Sequence, residues 1–95
     1  MNLQSFKSSL QSNEPPANIN EHLKALWFGG KEDWNKSHHI AQDIMDDNGS
    51  WIHAWLHRKE GDLGNAAYWY RRARKPMPSY SLEKEWEEIV AELLV

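Results

Sequence analysis

The chain has no threonine and just two valines, Val90 and Val95, whereas alanine, leucine, glutamate and lysine are plentiful. β-Branched side chains are the usual material of pleated strands, and the abundant residues are those that lose least freedom in a helix. An all-α fold is therefore expected.

Caps and breakers divide that helical material. Residues 1–18 are rich in Ser, Asn and Gln and carry Pro15-Pro16. They read as a flexible N-terminal arm, with Leu3, Phe6 and Leu10 available for a brief apolar stripe. Residues 19–95 read as a single helical domain. Asn18 and Glu21 form a capping pair for a helix that places Ile19, Leu23, Leu26 and Trp27 on one face and stops at Gly29-Gly30. Asp33 caps a second helix, in which Trp34, Ser37, Ala41, Ile44 and Met45 recur until Asn48-Gly49 interrupts. Ser50 caps a third, carrying Trp51, Ile52, Trp55 and Leu56 as far as Gly61. Asp62 opens a fourth, through Leu63, Ala66, Ala67, Tyr70 and Ala73, until Pro76 and Pro78 forbid continuation. Ser81 starts the fifth, whose Leu82, Trp86, Ile89, Val90, Leu93 and Leu94 form one stripe. Short turns make successive helices antiparallel, so the expectation is about five helices in an α-hairpin array with a C-terminal covering helix.

Composition narrows the possible chemistry. Ninety-five residues suit one modest core. The absence of cysteine removes disulfides, thiolate nucleophiles and Cys-based metal sites, so any metal must be held by histidine and carboxylate. No apolar run is long enough for a membrane span, and MNLQSFKSSLQS lacks the unbroken apolar stretch of a secretory signal. The cytoplasm is the expected compartment. A net charge of −3 with interspersed signs argues against nucleic acid or anionic lipid as the partner.

Ala66-x3-Tyr70-x2-Ala73 followed by Pro78 resembles the second-helix half of a tetratricopeptide repeat, and Gly61-Asp62-Leu63 resembles its intervening turn. Ala54 stands at the repeat's small-residue place in the first helix. The repeat's usual Trp, Leu and Tyr there fall instead on Ser50, His53 and His57. Residues 19–46 offer a degenerate second copy, with Ala25 and Ser37 at the small positions. Residues 50–78 are thus the clearest stretch, and the whole also resembles a core of small bacterial proteins with no assigned activity. The resemblance implies a TPR-like hairpin array that works as a protein-protein interaction module.

His53 and His57 lie one helical turn apart and share a face, which is chelating geometry for a divalent ion such as zinc. A zincin-type hydrolase needs glutamate directly after the first histidine; here it is Ala54. A non-hydrolytic site would recruit His39 and Asp43 from the preceding helix. The plainer expectation is that both imidazoles fill the hairpin seam and bond to Tyr68, Tyr70 or backbone carbonyls. No phosphate loop, nucleophile elbow or carboxylate pair points to an enzyme.

Six tryptophans are many for this length, and most lie on apolar stripes. Tyr68, Trp69 and Tyr70 are consecutive, so they cannot all face one way. The leading expectation is a module that binds a protein or peptide, or a second copy of itself as a homo-oligomer, through Tyr68, Trp69, Arg58, Arg71, Arg72 and Arg74. Arginine suits acidic residues or a C-terminal carboxylate. No cofactor is expected on that reading; a divalent metal is the alternative.

Overall fold

The computed structural model describes residues 1–94, and among them there are six helices and no strand. They are α1 (Leu3–Ser9), α2 (Glu21–Gly30), α3 (Trp34–Ala41), α4 (Asp47–Glu60), α5 (Leu63–Ala73) and α6 (Leu82–Leu93). No helix is long and apolar enough to cross a membrane.

The helix beyond the expected five is α1, which lies within the expected arm. Asn2 caps α1 by accepting from the Ser5 amide, while the Ser5 hydroxyl bonds back to Asn2. Phe6 is completely buried against Trp86, their rings 5.8 Å apart, so α1 is packed on α6 rather than free. Burying one phenyl ring contributes about 2 kcal/mol, enough to hold a seven-residue helix that would not persist alone.

Three other boundaries differ from expectation. The cap of α2 is Asn20, whose side chain accepts from the Leu23 amide at 2.9 Å; Asn18 stands outside the helix with φ of 66°. The cap of α4 is Asp46, accepting from the Gly49 amide at 2.7 Å, so α4 runs straight through Asn48-Gly49. Gly49 is there for space: a Cβ on it would sit 2.3 Å from the Ile44 carbonyl oxygen. α3 therefore ends at Ala41, short of Ile44 and Met45, and Met45 is exposed. Asp33, Asp62 and Ser81 cap α3, α5 and α6 as the sequence predicts. Gly61 ends α4 at φ of 90°, a left-handed conformation that glycine adopts without steric cost.

The helices pair as α2–α3 and α4–α5 hairpins, with α6 laid across α2 and α4. In the second hairpin Ala54, Ala66, Tyr70 and Ala73 are all buried, so small residues let the axes approach and the tyrosine ring fills the remaining space. Glycine does the same where α2 meets α4: a Cβ at Gly29 would stand 2.8 Å from the Trp55 ring.

Tryptophan fixes the arrangement as well as filling it. Trp34 donates to the Leu56 carbonyl (2.7 Å), Trp55 to Leu82 (2.9 Å) and Trp86 to Leu26 (2.8 Å). Trp27 donates to the Ser9 hydroxyl at 3.1 Å and Trp51 to the Glu85 carboxylate at 3.0 Å. Each bond spans two elements, so each indole sets a helix's rotation as well as its position. Trp69 is the one indole without a hydrogen-bond acceptor among the described residues.

Glu85 is the centre of a buried network. It is 1% exposed and accepts from Trp51, from the Tyr70 hydroxyl at 2.7 Å and from Arg58 at 2.9 Å; Arg58 also donates to the Tyr80 carbonyl. Burial, then the adjoining carboxylate, pushes Tyr70 far above the ordinary phenol range, so its hydroxyl stays a donor. Carboxylate, guanidinium, phenol and indole together tie α6 to the α4–α5 hairpin.

Candidate functional site

The face of α4 turned toward α3 and α5 carries His53 and His57, both buried, with ring centroids 4.8 Å apart. A third imidazole joins them from α3. It is His38, 4.5 Å from the His53 centroid and 5.2 Å from that of His57. One ring nitrogen from each of the three lies within 4.8 Å of the others.

His39 and Asp43, the partners expected from the sequence, are outside this group. Both are exposed, and Asp43 lies past the end of α3. Adjacent residues on a helix point about 100° apart, so only one of His38 and His39 can face α4. Trp34 bonding to Leu56, and the Ser37 hydroxyl bonding to the Ala25 carbonyl, fix which one it is. The signal was present in the sequence: Trp34, His38 and Ala41 fall at i, i+4 and i+7, on the apolar stripe, and His39 falls off it. Trp34 and His38 stack at 4.7 Å with planes 11° apart.

The hydrogen bonding of the three rings is unequal. His57 Nδ1 lies 2.7 Å from Glu60 Oε2. A carboxylate only accepts, so Nδ1 carries the proton and, in the neutral ring, Nε2 keeps its lone pair. Asn65 Nδ2 sits 3.4 Å from that Nε2. His38 and His53 have no hydrogen-bond partner among the described residues. The seam partners expected for the histidines are engaged elsewhere: Tyr70 with Glu85, and Tyr68 with Arg72.

Burial, then the neighbouring His38 and His57 rings, lowers the His53 pKa to about 3. His38 is lowered too, by burial first and then by His57. Both are neutral at pH 7, and a neutral imidazole is the form that ligates metal. Imidazole donors suit zinc, copper, nickel and cobalt better than magnesium or calcium, which prefer oxygen. His57, Glu60 and Asp62 form a second group with ligand atoms within 4.8 Å of one another. Its acidic members are exposed, and each already has a partner: Glu60 the His57 ring and Asp62 the Asn65 amide.

The aromatic and basic residues singled out from the sequence divide. Tyr68, Arg71 and Arg72 are exposed on α5, and Arg74 is exposed at its C-cap. The Arg72 guanidinium lies over the Tyr68 and Trp69 rings, at 5.9 and 5.2 Å. Arg74 approaches Asp47 at 3.7 Å. Arg58 does not share this surface, because its charge is turned inward to Glu85. Trp69 is half-buried and stacks on His53 at 3.9 Å with planes 15° apart. The α5 face and the imidazole cluster are thus contiguous through the Trp69 ring.

No family model, no curated protein and no solved structure matches the chain.

Proposed function

We propose that this protein binds a late first-row divalent metal ion, zinc being the reference case, through His38, His53 and His57. One observation carries the reading: three imidazole nitrogens converge within 4.8 Å, on rings of which two have no protein hydrogen-bond partner. Among the described residues no fully buried side-chain nitrogen lacks a partner, so the open nitrogens of His38 and His53 reach solvent and are accessible to an ion. A tetrahedral ion about 2.05 Å from each nitrogen holds the three roughly 3.3 Å apart, so a modest rotation of the rings completes the set. The Glu60 contact is the outer-shell carboxylate that orients metal-binding histidines elsewhere.

Titration of untagged protein with zinc, cobalt(II) and nickel tests the assignment. Trp34 and Trp69 stack on the ligand rings, so binding should change tryptophan fluorescence and raise the melting temperature with metal concentration. His38→Ala should abolish both effects and His39→Ala should leave them. Indifference to all three ions, or equal loss in the two variants, would refute the reading.

A second reading is supported by the α5 face, where Tyr68 is 43% exposed and Arg71 and Arg72 have no carboxylate partner among the described residues. Such a surface fits an acidic peptide or protein, or a second copy of the chain, and the alanine-lined α4–α5 seam is compatible with a TPR-like interaction module. Light scattering and titration with an acidic peptide test it. A monomer at high concentration that ignores the peptide would dismiss it.

A further inference from the structure

Three protein ligands leave a tetrahedral ion one position short of closure, the pattern of sites that exchange an external ligand rather than of structural ones. We infer that the ion held by His38, His53 and His57 keeps an exchangeable position for a small anion with an oxygen or nitrogen donor, and that Asn65 holds that anion in place. The inference rests on the metal assignment above.

Four features support it. Among the described residues no fourth histidine or carboxylate belongs to the group. The nearest carboxylate, Glu60, is bound to Nδ1 of His57, on the edge of the ring remote from Nε2. Asn65 Nδ2 points at the Nε2 lone pair from 3.4 Å. A metal–nitrogen bond of about 2.05 Å along that line would put the ion on top of Nδ2, so the exposed Asn65 side chain swings aside when the ion takes the lone pair, and from that rim its N–H group donates to a bound anion. Finally, Trp69 and Trp34 cover the faces of His53 and His38, and the Arg72 guanidinium over Trp69 supplies positive potential close by. His38 is the half-buried member of the three, so the cluster is not sealed from solvent.

The competing arrangement is a closed site, in which Asn65 turns its amide and coordinates through oxygen. The cobalt(II)-loaded full-length chain separates the two, because the visible spectrum of cobalt reports its ligands. Azide, the probe, should shift that spectrum saturably. Asn65→Ala should bind cobalt as tightly as the wild type within a factor of about three, yet bind azide about fivefold more weakly, the loss of roughly one hydrogen bond. Asn65 is exposed and outside the core, so this variant should fold, with unchanged melting of the metal-free protein as the control.

A spectrum indifferent to azide would overturn the inference, as would loss of cobalt binding in Asn65→Ala or equal azide affinity in the two proteins. In each of these cases cobalt uptake by the wild type leaves the metal assignment standing. If the wild-type chain takes up no cobalt, zinc or nickel, both fall.

Discussion

Removing the Glu85 carboxylate should cost this protein a large part of its stability. The group is 1% exposed and receives three donors, Trp51, Tyr70 and Arg58. Glu85→Ala leaves an indole N–H and a phenol O–H without an acceptor, at about 1–3 kcal/mol each. It also strips the counter-ion from Arg58, where breaking a buried pair costs about 3–5 kcal/mol. These terms do not add in full, because the Arg58 side chain is 13% exposed and keeps the Tyr80 carbonyl. A net loss of about 4 kcal/mol is expected against a total of roughly 5–14 kcal/mol for a domain of this size. Glu85→Gln keeps the volume and one acceptor oxygen but sets an amide N–H against a remaining donor, so about 2–3 kcal/mol is expected. Tyr70→Phe should cost about 1 kcal/mol, since the carboxylate keeps its indole and guanidinium partners. Urea unfolding followed by tryptophan fluorescence gives all three values, and the Tyr70→Phe/Glu85→Gln double mutant gives the coupling. At about 4–8 °C per kcal/mol, the differences are also visible in thermal melts. A Glu85→Gln penalty below about 0.5 kcal/mol, or a coupling near zero, would show that the carboxylate does not hold α6 to the α4–α5 hairpin in the way described.

Three further outcomes rest on the packing and the buried imidazoles. His53 is held neutral in the fold with a pKa of about 3, below the ordinary histidine value of 6.5. The unfolded chain therefore takes up a proton that the native state refuses. The resulting stability is complete above pH 6.5 and is lost as pH falls toward 3, by up to about 3 kcal/mol at pH 4; metal-free His53→Asn should show a correspondingly flatter acid limb in pH-dependent unfolding. Gly29→Ala adds a Cβ at 2.8 Å from the Trp55 ring and 3.3 Å from the Ser37 hydroxyl, and should lose about 1–2 kcal/mol after the gain in helix propensity. Gly64→Ala, with nothing within 4 Å, should instead stabilise by about 0.5–1 kcal/mol, and equal melting shifts of one sign would contradict the packing.

Much of the fold was legible because its signals are local. Asp33, Asp62 and Ser81 cap helices by bonding to amides three residues on, and Gly61 closes α4 from its own dihedral angles. The Ala66, Tyr70 and Ala73 seam was legible for a related reason, since residues three and four apart on a helix share a face. Misjudged positions were those where two local signals compete. Both Asn18 and Asn20 can cap, as can Asp46 and Ser50. Gly49 has the composition of a break yet sits inside α4, because Ile44 passes too close for any side chain. Phe6 could not be placed from the arm's polar composition, because the Trp86 surface that buries it lies eighty residues away.

The candidate site was legible in half. His53 and His57 share a face by helical arithmetic alone, and so does the reach of Glu60 to His57 one turn on. Choosing His38 over His39 required the rotation of α3, and finding Asn65 beside His57 required the closed hairpin.

By itself, the sequence determined that this chain is helical, roughly where most helices begin and end, and that two histidines lie together on one of them. These are properties of backbone torsions and of neighbours within a turn. Tertiary structure alone decided that a third imidazole completes the group, that Glu85 is buried rather than solvated, and that Arg58 faces inward. Each depends on the rotation of one helix against another, which is set by indole and hydroxyl contacts between residues far apart in the chain.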